Sequence, residues 1–250
     1  MLTPRINPDF RTHWDGPILV IDDFLVNVDE FRGSLRERGQ FANHHRNKMV
    51  VDVGPAHDWR QILPSAEFPE EFNQCIARLQ GVETPAANYG TNLFYSDMKI
   101  ESRKSRSSHF PHTDHVVDRG GHLPVVFNLW LHDGGGGTGF YTFDDHYTSS
   151  AMSPELRYFA ENYGVASKND TSLIPYQSYF QGDEAWKLWK VAEMKKNRAF
   201  IYCGDFWHRI LIPEGEFRYP NARFSFLCFS TAPAPRFLEE SGSLPYLNSK

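Results

Sequence analysis

Three side chains in this sequence have the types and spacing to hold a metal ion. His112-Thr113-Asp114 is a His-x-Asp triplet, and in an extended strand residues two apart point to the same face. Both side chains then reach one ion. A third ligand must come from elsewhere, and His208 is the candidate, since it follows an apolar run through Gly204-Asp205-Phe206-Trp207. Two histidines and one carboxylate on one face leave three positions open, the facial set used by non-haem iron(II) centres to take a keto acid and dioxygen. The triplet alone is weak evidence among 11 histidines. His109 and His115 lie close by, but neither has a carboxylate two residues on.

The order of the surrounding segments adds to the triplet. ILVIDDFL, HFPHTD, VVFNLWLHDGGGGTGFYTF, AFIYCGDFWHRI and ARFSFLCF follow one another along the chain. In that order they resemble the first strand, His-x-Asp strand, glycine-bearing stretch, distal-histidine strand and last strand of the prolyl-4-hydroxylase-like branch of the iron(II)/2-oxoglutarate dioxygenases. The resemblance runs in patches from residue 18 to residue 230. It implies a double-stranded β-helix (jelly roll), with iron(II) held by His112, Asp114 and His208, and with 2-oxoglutarate and dioxygen as co-substrates. The gap between Asp114 and His208 is long for that branch. Most of the excess lies in residues 144–186, a possible lid insert rich in Tyr, Ser and Asp.

Arg223 and Ser225 form an Arg-x-Ser in an otherwise apolar strand. A keto acid chelating the metal carries its far carboxylate into the interior, where a buried carboxylate must be paired. Arg offers a two-pronged fork for it, and Ser225 shares the strand face of Arg223. Arg218 is the rival anchor, but EGEFRYPN is polar and reads as a loop. Asn128 and Trp130 share a face by period two. With Tyr95 they are expected to face the metal, so Asn128 and Tyr95 join Arg223 and Ser225 as co-substrate contacts. A buried Asn needs a partner, and a core hydrogen bond would serve Asn128 equally well.

The elements that must position these residues are mainly strands. Residues 18–21 form a short apolar run bounded by turn residues. Asn27 and Glu30 have the spacing of a capping box. They open a helix whose face is Val28, Phe31 and Leu35 and which stops at Gly39. A second helix is predicted over residues 69–80, with Pro69 in its first turn, Phe72, Ile76 and Leu79 as its stripe, and Gly81 at its end. Strands are predicted over residues 92–95, 125–131, 140–143, 187–194, 199–203 and 224–229, with a polar turn at 195–198 and a short helix from Ser153 to Gly164. This is an α+β, mainly β chain: a jelly roll of about eight core strands with flanking helices, in one domain over 1–250.

Composition bounds the rest. At 40% hydrophobic and 23% charged the chain is globular. The 15% of aromatics suits pleated surfaces. A net charge of −5, with no basic patch beyond Arg103, Lys104 and Arg106, suggests neither a nucleic-acid nor a membrane partner. The 3 cysteines make no CxxC pair, which fits a reducing compartment. With no apolar leader or span, the expected location is cytoplasmic. Gly134 to Gly139 lacks the Lys-Ser/Thr of a phosphate loop. The expected reaction is hydroxylation of an unactivated C–H bond on a small-molecule or amino-acid-type substrate, with desaturation and cyclisation sharing the same first step. Asp114 argues against halogenation, since a halide needs the carboxylate's place on the metal. The alternatives are another metal-dependent β-barrel (cupin-like) enzyme, which would not need Arg223, and a non-enzymatic β-sandwich binding module.

Overall fold

In the computed structural model the described residues are 3–38, 42–43, 59–94, 122–143, 186–204, 206–211 and 222–233. His112, Asp114, Tyr95, Arg218, Gly39, the 153–164 helix and all but Trp186 of the 144–186 insert lie outside them.

The alternation of one strand explains the layering. On β6 (His122–Trp130), Val125, Phe127 and Leu129 join one core, whereas Val126 and Trp130 join another. Both faces are buried, so the strand reads as a continuous apolar run. It sits centrally in an eight-stranded sheet, β1-β2-β9-β6-β11-β5-β4-β3, and a three-stranded sheet runs β10-β7-β8. Every pairing is antiparallel. The strands are β1 (Arg11–Asp15), β2 (Ile18–Asp22), β3 (Ala42–Asn43), β4 (Trp59–Pro64), β5 (Asn88–Phe94), β7 (Gly137–Phe143), β8 (Trp186–Glu193), β9 (Ala199–Cys203), β10 (Trp207–Leu211) and β11 (Arg223–Pro233). The two sheets face each other across Ile18, Val20, Val126, Trp130, Phe140, Ala192, Phe200 and Tyr202. The chain is thus mainly β, with two antiparallel sheets and, among the described residues, two α-helices. None of the described helices is long and apolar enough to cross a membrane.

The helices cover the opposite face of the large sheet. α1 (Val28–Glu37) buries Phe31 and Leu35, and α2 (Glu70–Gln80) buries Phe72, Cys75 and Ile76. Gly81 ends α2 with φ 70, a left-handed conformation that glycine adopts without steric cost. Gln80 Nε2 then donates to the carbonyl of Val125 at 2.9 Å, tying α2 to β6. The capping-box expectation at α1 needs correction. Asn27 occupies the N-cap position but makes no side-chain cap hydrogen bond. Its amide instead accepts from Arg5 N at 2.8 Å and donates to Thr3 O at 2.9 Å. The N-terminal segment takes the Asn27 oxygen, while Asn27 Nδ2 still meets Glu30 Oε2 of the first turn at 3.3 Å.

Two crossovers between the sheets, β6 to β7 and β8 to β9, are tied together. Asn197 N donates to Trp130 O at 2.9 Å, Trp130 N to Arg198 O at 2.9 Å, and Met194 N to Gly136 O at 3.1 Å. Asn197 stands at φ 66. Its side chain accepts from Leu25 N and donates to Leu25 O, each at 2.8 Å. Asn197→Ala strands both groups of a buried residue and keeps an unfavourable φ. A loss of about 2–3 kcal/mol in denaturant unfolding is expected, and a loss under ~0.5 kcal/mol would show that the amide does not brace this end.

Beside it, Arg198 Nε meets Asp22 Oδ1 at 2.8 Å and Nη2 meets Oδ2 at 3.4 Å. Burial alone would raise the Asp22 carboxyl, but the hydrogen bond and charge of Arg198, helped by Lys195 and His13, hold it below the usual carboxylate range. A depressed carboxyl contributes stability that is fully present above the unfolded value of about 3.9 and is lost as pH falls through the folded value. Asp22→Asn should therefore be destabilising at neutral pH, with the gap to the parent closing below about pH 4. A gap that stays constant through acid unfolding would rule this out.

Candidate functional site

His208 lies within a strand, β10, with Phe140 of β7 as its register partner. It is 5% exposed. Its ring packs between Tyr202, 4.8 Å between centroids, and Phe140, 6.2 Å. His208 Nδ1 is 2.8 Å from the carbonyl oxygen of Phe206. A carbonyl only accepts, so Nδ1 carries the proton and, in the neutral ring, Nε2 keeps the lone pair. A histidine that binds a metal through Nε2 has this tautomer, with its Nδ1–H held by an acceptor such as a backbone carbonyl.

Arg223 opens β11 on the same interior side, since odd-numbered β11 residues face the small sheet while Phe224, Phe226 and Cys228 face the helices. It is 1% exposed. Its guanidinium carbon stands 4.2 Å from the centre of the Trp130 ring, and Nη2 donates to the carbonyl of Gly137 at 3.1 Å. Arg223 thus reaches from the large sheet to the first residue of β7. Gly137 has φ +143, and a Cβ there would lie 2.0 Å from Ala192 O, so this position requires glycine. Ser225, buried, is the register partner of Trp130. Asn128 is 6% exposed. Its Oδ1 and the Nε1 of Trp130 are buried with no hydrogen-bond partner among the described residues.

The structure therefore brings His208, Arg223, Ser225, Asn128 and Trp130 to one inter-sheet interior. From Gly137, which Arg223 touches, to Phe140, the partner of His208, is three residues of β7, about 10 Å. His112, Asp114, Tyr95 and the rival Arg218 lie outside the described residues. Among the described residues no three His, Cys, Asp or Glu side chains gather as a metal set. The sequence reading missed the carbonyls of Phe206 and Gly137. Only the glycine run signals either of them. Two of the cysteines are not poised as nucleophiles. Burial pushes the Cys228 thiol up to about 12 and raises that of Cys75, so both stay protonated at neutral pH.

The sequence profile of a family of unknown function (DUF6445) matches residues 4–223. The chain belongs to this family. The DUF6445 match spans β10 and ends on Arg223, so Ser225 lies just beyond it. No curated protein matches the chain. Among solved structures, HygX from Streptomyces hygroscopicus, with nickel and 2-oxoglutarate bound, is similar at 15% identity and a TM-score of 0.43, over 88% of this chain and 83% of that one. AviO1 from Streptomyces viridochromogenes Tue57 is similar at 13% identity and a TM-score of 0.40, over 82% and 81%. Likenesses of this size decide neither fold nor chemistry.

Proposed function

We propose that this chain is a one-domain, non-haem iron(II) and 2-oxoglutarate-dependent oxygenase of double-stranded β-helix fold. It would hydroxylate an unactivated C–H bond of a small-molecule or amino-acid-type substrate. The observation that carries the reading is the placement of His208 and Arg223. One is a buried histidine with Nε2 held ready as a ligand atom; the other is a buried guanidinium on the same interior. His112 and Asp114 would complete the ligand set from the segment joining β5 to β6. Among the described residues β10 is paired on one side only.

Iron(II), with 2-oxoglutarate and dioxygen, would supply the oxidation chemistry that no side chain offers. The chain's own residues bind and orient. Arg223 pairs the far carboxylate, Ser225 adds a hydroxyl donor, and the Asn128 amide nitrogen donates to the keto acid. Phe140, Phe200 and Tyr202 keep bulk water out, which strengthens those polar contacts. Anaerobic titration with iron(II) and 2-oxoglutarate should develop a weak visible charge-transfer band. Asn128→Leu should weaken 2-oxoglutarate binding by about tenfold, the cost of one hydrogen bond to a charged group. No band and no keto-acid binding in the parent would reject the class; an unchanged affinity in Asn128→Leu would return Asn128 to a packing role.

A further inference from the structure

Asn128 and Trp130 leave two complementary atoms unsatisfied on one face of β6. Trp130 Nε1 is a donor, Asn128 Oδ1 is an acceptor, and both are buried without a hydrogen-bond partner among the described residues. A buried polar group left without a partner keeps its full desolvation penalty. The residues are two apart on one strand, with Cα atoms about 7 Å apart. They do not bond each other, and a single atom set between the two side chains would satisfy both at about 2.9 Å each. That atom must accept from an N–H and donate to a carbonyl oxygen. A carboxylate or ketone accepts only and an ammonium donates only, whereas a hydroxyl oxygen does both. 2-Oxoglutarate, as a dianion, has no hydrogen to give Asn128 Oδ1.

We propose that the inner face of β6 holds one hydroxyl oxygen between Trp130 Nε1 and Asn128 Oδ1, supplied by a fixed water or by an alcohol group of the substrate. The binding rests on this geometry alone; that the alcohol belongs to the molecule being oxidised rests on the oxygenase reading.

The test uses the full chain, free of metal, with its indole nitrogens labelled with nitrogen-15. The Trp130 resonance is assigned by its loss in Trp130→Phe. Ethanol, acetate and ethylammonium are the probes, matching the hydroxyl, the pure acceptor and the pure donor. If an alcohol occupies the site, ethanol alone shifts the Trp130 indole signal saturably, at least about tenfold more weakly in Asn128→Leu. If a water occupies it, ethanol does nothing, but the indole proton shows a nuclear Overhauser contact to a long-lived water that Asn128→Leu abolishes. Asn128→Asp, which keeps the acceptor, should retain whichever signal the parent gives and serves if the leucine variant does not fold. Neither signal in the parent, or an acetate response equal to that of ethanol, overturns the proposal. An iron and keto-acid titration on the same sample reports separately on the oxygenase reading, so either can fail alone.

Discussion

Replacing Arg223 with leucine is expected to raise the apparent 2-oxoglutarate constant by about two orders of magnitude or more, while iron(II) binding stays nearly intact. The side chain is 1% exposed, so a carboxylate that meets it is out of water. Removing one partner of a buried charge pair typically costs ~3–5 kcal/mol, and 1.4 kcal/mol is tenfold in affinity. Arg223→Lys separates charge from shape. Lysine keeps the cation but loses the planar fork and the stacking on Trp130, so it should recover only part of the affinity. Isothermal titration with 2-oxoglutarate, in the presence of a redox-inert divalent metal, reads both variants. If Arg218→Leu shows the loss and Arg223→Leu does not, the anchor is misassigned though the class stands. If neither does, the class falls with it.

His208→Ala should weaken metal binding by more than ~100-fold and abolish turnover. Even loss of a residue that merely orients a ligand costs about 10–100-fold in metal affinity, and His208 would be the ligand itself. The packing between Tyr202 and Phe140 makes some loss of stability certain, so the decisive control is His208→Gln, which nearly preserves volume. A His208→Gln protein that is folded yet binds iron(II) as tightly as the parent would remove His208 from the metal site.

Residues 199–203 were legible as a strand to the residue, because AFIYC is apolar at every position and bounded by a polar turn and glycine. α2 was legible from Pro69, its stripe and Gly81. Its first turn begins one residue later than predicted, because Pro69 stands at the cap. β6 and β11 run longer than predicted, since ladder pairing carries them past their apolar centres into Pro124 and Ser230. β1 was missed. RTHWD is almost wholly exposed, and its strand state comes from pairing with β2, not from any pattern of its own. β10 was missed as a strand because Trp207-His208-Arg209 breaks the alternation. Arg209 is nonetheless buried, its guanidinium 5.6 Å from the Tyr141 ring, so both faces of this short strand are covered. On the site, Arg223, Ser225 and Asn128 were legible as polar residues inside apolar strands. The contacts that orient Arg223 and His208 come from the backbone oxygens of Gly137 and Phe206, and a carbonyl has no letter in the sequence.

The tied crossovers have a consequence for hydrogen exchange. Opening the sandwich at the Arg223 end means separating residues 24–25, 130–131 and 194–198 at once, since Asn197 bonds to the first two and Met194 N holds Gly136. Segments locked in this way open only with the whole domain. The amides of Leu25, Trp130, Met194 and Asn197 should therefore be among the last to exchange, and at rates set by global stability. A guanidinium in that unit is in position before any ligand arrives. The cost of ordering it falls on folding, and none of it is subtracted from the affinity for the anion.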